Sequence, residues 1–297
     1  MITFKHISLK DKELILSYTL PYATYDCEYS FGNLFSWNFY NESSYAIIDQ
    51  CLVVRFTMED GSHLYLSPIG KCDKTNVIKQ LDEHSRTNNE VLKIRGSLQE
   101  TLDMLEQYAP KGFEYVADRD YFDYVYLRKN LVELTGKNYQ PKRNHINKFK
   151  KEYNYKYTPL TPEIVPYCIE LEKEWCKKRD CLNFPSLKHE HEAFCNTINN
   201  YEALGISGGA IWVDDEIVAF TLGSPINHET FDVQFEKADT DIDGAYTIIN
   251  QEFASRLPEQ FIYLNREEDM GMEGLRKAKL SYHPEFLVEK CIATKCT

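Results

Sequence analysis

The hydrophobic pattern of this chain runs through the same order twice. Residues 2–8 alternate apolar and polar side chains as a strand does, and 11–20 and 31–39 space apolar residues as helices do. A strand meander follows over 45–48, 51–58 and 63–67, with Asp60-Gly61 marking its second turn. Helix, strand, helix and strand then succeed one another over 74–86, 91–95, 99–108 and 121–127. The second half opens with a strand at 155–159 and helices at 162–178 and 188–204. Pro162 sits in a first helical turn, where a missing N–H costs nothing, and Gly205 closes the second helix. Strands 208–213 and 217–223 form a hairpin through Asp214-Asp215-Glu216, and a third strand covers 230–235. Helix 244–257, strand 261–265, helix 272–279 and terminal strands within 286–294 complete the pattern. Such a chain folds as two α/β units with mixed sheets, expected at 1–135 and 136–297; 297 residues suit two domains of ordinary size.

Composition narrows the setting. Apolar residues make up 43% and aromatic residues 13%, enough for two cores. No run approaches the roughly 18 apolar residues of a spanning helix, and the first residues lack a signal peptide's apolar stretch. Nine cysteines are scattered without a Cys-x-x-Cys pair, so reduced thiols and a cytoplasmic location are expected. The net charge of −12 argues against non-specific nucleic-acid binding over the whole surface. Yet residues 137–156 carry seven Lys and Arg against Glu152 alone, a local charge of +6 that leaves −18 for the remainder. The segment 141–153 reads as a helix with Ile146, Phe149 and Tyr153 on one stripe and Lys142, Arg143, His145, Lys148, Lys150 and Lys151 around it. Such a helix suits an anionic partner: tRNA or another nucleotide phosphate, or anionic lipid.

The order of elements is that of the GCN5-related N-acetyltransferase (GNAT) fold, here in tandem. Three motifs sharpen the resemblance. Tyr124-Val125-Tyr126-Leu127 is followed by Leu134-Thr135-Gly136-Lys137 and by the run from Pro141 to Phe149. Phe235-Glu236-Lys237-Ala238 precedes the run from Gly244 to Phe253, and a third stretch runs from Leu264 to Pro284 through Asn265-Arg266-Glu267-Glu268-Asp269. Together they resemble the bacterial family typified by the C-terminal domain of phosphatidylglycerol lysyltransferase, which shares its two-domain plan with Fem-type transferases. The resemblance implies a tandem acyltransferase fold and transfer of an aminoacyl group from charged tRNA to a lipid head group.

Within that frame the candidate catalytic residues are Glu236, Asn265, Glu268 and Asp269. The acidic run follows an apolar strand, and open α/β sheets gather their sites at the carboxyl ends of strands. An amine arriving as ammonium must lose a proton, for which a carboxylate serves. Arg276, Lys277 and Lys279 on the short helix would stabilise a leaving group. Lys237 would bind an anion, and Trp37 would line the substrate cleft. The turn Ala238-Asp239-Thr240-Asp241-Ile242-Asp243 has three aspartates where coenzyme A-dependent enzymes present phosphate-cradling N–H groups, which disfavours acyl-CoA at that place. His189 and His191 point to different sides of a helix, and His191 with Cys195 supplies only two ligands, so no metal site is expected. The leading expectation is aminoacyl transfer from an aminoacyl-tRNA-like donor to an amine or hydroxyl acceptor. An acyl-CoA-dependent N-acyltransferase and a catalytically idle anion-binding module are the alternatives.

Overall fold

The computed structural model describes residues 2–296. Two mixed sheets carry the fold. In the first, Lys5–His6, Ser44–Ile48, Cys51–Thr57, His63–Leu66, Lys93–Ser97, Lys290–Lys295 and Phe113–Val116 lie side by side in that order, with Ile69–Gly70 paired to Cys51–Thr57. The second runs Phe286–Val288, Asp123–Leu127, Tyr263–Asn265, Thr230–Ala238, Glu216–Pro225, Ser207–Val213 and Tyr155–Pro159. Helices cover both sheets, which gives the α+β tandem arrangement expected from the pattern.

The two sheets exchange strands. Asp123–Leu127, from the first half, pairs with Tyr263–Asn265 and Phe286–Val288 in the second sheet. Lys290–Lys295, at the far end of the chain, pairs with Lys93–Ser97 and Phe113–Val116 in the first. A cut at 135/136 divides the chain into halves, but the sheets do not respect it. Strand Phe113–Val116 had no counterpart in the sequence reading; its residues are mostly exposed, so it carries no buried stripe.

Period-two alternation explains how the halves are glued. In Cys51–Thr57, residues Leu52, Val54 and Phe56 face a core that also contains Phe194, Phe220 and Leu222 of the second half, whereas Cys51 and Val53 face a core built from the first half and Ala293 of the exchanged strand. The shared core is closed by Ile15, Phe31 and Leu34 from helices Lys12–Tyr22 and Phe31–Ser36. Two separate cores were expected; one core spans the junction instead. Completely burying a side chain such as Phe220 contributes about 1.5–3 kcal/mol, so this common core couples the halves strongly. The expected helix 31–39 divides at Trp37, whose backbone sits outside the helical region.

Two cysteine pairs meet at bonding distance, Cys51 with Cys72 and Cys176 with Cys181, where the spacing had suggested isolated thiols. Among the described residues, no helix is long and apolar enough to cross a membrane.

Candidate functional site

The site begins with a bulge. Strand Thr230–Ala238 slips register against Glu216–Pro225 between Leu222 and Gly223. Any side chain at Gly223 would collide with the backbone of Asp232, so the close approach needs glycine there. The extra residue at the bulge leaves Asp232 and Gln234 on the side facing the first half, with Glu236 on the other. Beside it, the parallel pairing with Tyr263–Asn265 ends at Asp232 and Asn265, and the strands part.

On the side facing the first half lies a buried acidic cluster. Asp26, Glu28, Asp123, Asp232, Glu267 and Glu268 converge there with Arg95, Lys279 and Lys290 as counter-charges. Asp26 and Glu28 come from the turn before helix Phe31–Ser36, and that helix supplies Asn33. Asn33 Nδ2 donates to Asp232 Oδ2 at 3.0 Å and to Glu267 Oε1 at 2.8 Å, so two carboxylates share one nitrogen. Lys290 Nζ lies 2.6 Å from Asp123, 3.6 Å from Glu268 and 3.9 Å from Asp26. Arg95 pairs with Glu28 at 2.7 Å.

The electrostatics follow from six acids against three cations. Burial, and then repulsion from Glu267, Asp123 and Glu268, pushes the Asp232 carboxyl well above its usual range. Burial and Glu268 do the same to Glu267. Burial works against the charge on Lys290, but Asp123 and its neighbours outweigh it and hold the ammonium well above its ordinary value. Asp26 Oδ2, Asp232 Oδ1 and Gln234 Oε1 are buried acceptors with no donor among the described residues. Orphaned buried acceptors are costly and uncommon.

On the opposite face, Arg266 lies in the gap between the parting strands. Its Nη2 donates to Glu236 at 2.7 Å, its guanidinium stands 5.0 Å from the Tyr282 ring and 5.8 Å from that of Tyr126, and Nη1 is buried without an acceptor. Lys142 reaches in from helix Gln140–Glu152, its Nζ 3.8 Å from the centre of Tyr282. Burial, with Arg266 adding repulsion, lowers the Lys142 ammonium to about 8. Asn250 of helix Ala245–Arg256 donates to Glu236 at 3.4 Å. The second sheet thus has an acidic cluster on one face and a cationic one on the other, with the consecutive residues Arg266 and Glu267 turned to opposite sides.

The residues singled out in the sequence are distributed unevenly over this ground. Glu268 belongs to the acidic cluster and is its more open member beside Lys290, with 21% of its side chain exposed. Asn265 is also there, fully committed: Nδ2 donates to Asp123 at 2.9 Å and to the carbonyl of Tyr25, and Oδ1 accepts from the Glu267 amide. Asp269 lies next to the cluster but turns into a different network. Its oxygens accept from Arg276 Nε and Nη2 at 2.8 Å each, from Arg119 at 3.4 Å, from the Tyr124 hydroxyl and from the Gly271 amide. Burial opposes the Asp269 charge, but these donors hold the carboxyl well below its usual range, which fits a structural anchor rather than a base. Arg276 is consumed by the same anchor and by Asp120. Lys279 is buried and donates to the carbonyls of Arg266 and Glu268, pinning the acidic loop, whereas Lys277 faces solvent.

Glu236 and Lys237 are neighbours on opposite faces, as strand geometry requires. Lys237 is walled off beneath the Trp175 ring, 3.6 Å from its centre, and pairs with Glu190 at 2.7 Å. Trp37 packs against the shared core and stacks on Phe39 at 6.3 Å, touching none of the acidic cluster. Of the basic helix, Arg143 donates to the carbonyls of Leu134 and Gly136, while His145 and Lys148 pair with Asp243 at 3.0 and 2.9 Å. Lys178 completes the screen over the aspartate-rich turn, 2.7 Å from Asp239 and from Asp241. The positive segment neutralises an acidic turn of its own chain, and Lys142 is its member that joins Arg266 beside Tyr282.

Sequence reasoning missed Asp26, Asn33, Asp123, Asp232, Gln234 and Lys290, and it placed Arg266 and Glu267 in the acidic run without giving either a role. A signal existed for three of them: Asp123, Asp232 and Lys290 are charged residues inside or beside otherwise apolar strands. A shallow cleft of about 660 Å³ bounded by Asp73, Lys74, Glu100 and Asp103 lies on the first half and includes no member of the acidic cluster.

Comparison with known proteins gives this geometry a context. A family model described as phosphatidylglycerol lysyltransferase, C-terminal, matches residues 20–294. A conserved protein of unknown function from Bacteroides thetaiotaomicron is 45% identical, with complete coverage of both chains and a TM-score of 0.97. The L-PGS of Bacillus licheniformis shares the fold at 13% identity, covering 98% of this chain and 93% of that one, with a TM-score of 0.69. A tandem GNAT protein from the clavulanic acid biosynthesis pathway shares it at 10% identity, with 100% and 99% coverage and a TM-score of 0.50. An uncharacterized protein of Mycoplasmoides gallisepticum is 25% identical over 169 residues, 57% of this chain and 54% of that one, so the match spans about half of that curated relative.

Proposed function

This chain belongs to the family of phosphatidylglycerol lysyltransferase C-terminal domains, and from that premise we propose that it is an aminoacyltransferase whose acidic cluster docks a substrate ammonium group. The observation that carries the reading is the set of orphaned oxygens on Asp26, Asp232 and Gln234, in a cluster where burial pushes the Asp26 and Asp232 carboxyls upward. An incoming ammonium supplies the missing donors and charge, and lets those carboxyls ionise around it. Asp232 and Glu267 would hold the ammonium where Asn33 Nδ2 now bridges them. Arg266 and Lys142 would hold a phosphate of the donor or of a lipid head group.

The chemistry asks little else of the protein. An acceptor hydroxyl oxygen attacks the carbonyl carbon of the aminoacyl ester, and the bond from that carbon to the donor's ribose oxygen breaks. Glu268 takes the acceptor's proton and returns it to the departing oxygen. Asn265 acts as a positioning residue for Asp123, and Lys279 and Lys290 fix the acids in place. The acyl-CoA alternative has weaker support, because Lys178, His145 and Lys148 already occupy the aspartates of the turn where pyrophosphate would sit.

The test is transfer of radiolabelled lysine from charged tRNA to phosphatidylglycerol vesicles, followed by chromatography of the lipid. Glu268→Gln should lower the rate by at least about 100-fold, the lower end of general-base contributions, with an unchanged melting profile. Unaltered turnover removes Glu268 from the mechanism. Micromolar binding of coenzyme A without transfer from any charged tRNA favours the alternative.

A further inference from the structure

Helix Val165–Arg179 ends on a cross-link. Cys176 is bonded to Cys181 in the turn Cys181–Asn183, which leads to helix Pro185–Asn199; the two Cα atoms are 5.0 Å apart. The cysteines are five positions apart, and Asp180 between them has left-handed backbone at φ 55°. One helical turn before Cys176 lies Glu172, with 2% of its side chain exposed. Its Oε2 is 2.6 Å from His191 Nδ1 on the second helix, and its Oε1 is 3.5 Å from Cys176 Sγ. Among the described residues, no other side chain donates to this carboxylate. A disulfide sulfur has no hydrogen to donate. With Cys176 bonded to Cys181, Glu172 Oε1 is therefore a buried acceptor without a donor, which is a costly state. With Cys176 reduced, its S–H has that oxygen within reach. The other bonded pair has a different setting: Cys51 is fully buried in an apolar core, and Cys72 packs against the same core.

We propose that the Cys176–Cys181 bond is a redox-sensitive switch, reduced ahead of Cys51–Cys72, in which Glu172 favours the dithiol and the turn between the two helices is the part released. A dithiol reductant supplies the electrons. Its first thiolate attacks Cys176 Sγ, since Cys176 is the more exposed residue of the pair and Cys181 is buried. A bond forms between the reductant's sulfur and Cys176, the Cys176–Cys181 bond breaks, and its electron pair leaves on Cys181, which takes a proton. The reductant's second thiol then closes on the first as a disulfide, and Cys176 departs as a thiol with Glu172 Oε1 as its acceptor. Two electrons and two protons have passed to the pair. Reduction unties the turn from a helix end that makes particular contacts. Trp175 lies over Lys237, 3.6 Å from the ring centre to Nζ, and donates to the Tyr246 hydroxyl at 2.9 Å. Lys178 is 2.7 Å from Asp239 and from Asp241. The bond thus braces the helix end that covers the last residues of strand Thr230–Ala238.

Redox titration of the full chain in buffers of oxidised and reduced dithiothreitol tests this, with free thiols alkylated and each cysteine read by mass spectrometry. Cys176 and Cys181 should become alkylated at a midpoint at least about 30 mV less reducing than that of Cys51 and Cys72, a tenfold difference in equilibrium constant. Glu172→Leu removes the acceptor and should shift the Cys176–Cys181 equilibrium about tenfold toward the bonded form, while Cys51–Cys72 stays where it was. Backbone amide exchange over 177–184 should rise on reduction of this pair, with exchange in strand Cys51–Thr57 unchanged. The comparison of the two pairs within the unaltered chain stands even if the variant misfolds. Equal midpoints for the two pairs overturn the proposal, as does a Cys176–Cys181 midpoint that Glu172→Leu leaves unmoved. Exchange over 177–184 that is the same in both redox states overturns the release of the turn.

Discussion

Lys290→Met should unfold this protein more readily than any surface change. Lys290 sits on a strand of the first sheet and Asp123 on a strand of the second, so their 2.6 Å ion pair joins the two exchanged strands. Glu268 and Asp26 approach the same ammonium at 3.6 and 3.9 Å. Charges about 4 Å apart attract by about 4 kcal/mol at an effective dielectric constant of 20, so the gross interaction is on the order of 10 kcal/mol. Desolvation of the ammonium offsets most of that. What the substitution exposes is the cost of leaving buried acids without a counter-ion, about 3–5 kcal/mol. For a chain of 297 residues that corresponds to a fall in Tm of roughly 5–8 °C. Differential scanning calorimetry at pH 7.5 reads it directly. Adding Asp123→Asn to Lys290→Met should recover about half, because one orphaned charge is gone. The deficit should also shrink as pH falls, since acids deprived of their cation protonate more easily. A Tm change under about 1 °C, or a double variant no better than the single one, would refute the electrostatic account.

Two further outcomes follow from the same clusters. Asp232 and Glu267 have folded pKa values raised above their unfolded ones, so the stability from their bound protons is complete below about pH 4 and lost as pH rises through the folded values. Asp232→Asn should therefore raise Tm at pH 8 and change it little near pH 4; a gain independent of pH would contradict this. Arg266→Met should lift the Lys142 ammonium from about 8 toward its ordinary value, since Arg266 repulsion adds to burial there. Competitive acetylation of Lys142 followed by mass spectrometry measures the shift, and an unmoved titration would separate the two cations.

Much of the architecture could be read from spacing. Strand Tyr155–Pro159 and helix Gln140–Glu152 form where alternation and helical periodicity put them, because each pattern encodes which face of an element is buried. The acidic stretch 267–269 was legible as a site because it follows an apolar strand. Its division of labour was not. Glu267 joins the buried acidic cluster, Glu268 sits at its more open edge beside Lys290, and Asp269 anchors Arg276, yet all three have the same chemistry in sequence. The basic helix misled for a related reason: a charge run shows its sign, but the partner that neutralises it, Asp243, lies 95 residues from Lys148.

By itself the sequence determined the tandem α/β plan and the family, since periodicity and motif are properties of neighbouring residues. Only the tertiary structure decided that strands Asp123–Leu127 and Lys290–Lys295 change sheets, and therefore that Asp123 meets Lys290 across 167 residues. An alternating strand specifies its buried face equally well in either sheet. The choice between sheets, and with it the convergence of the acids in one cluster, comes from long-range packing and charge pairing that no local pattern contains.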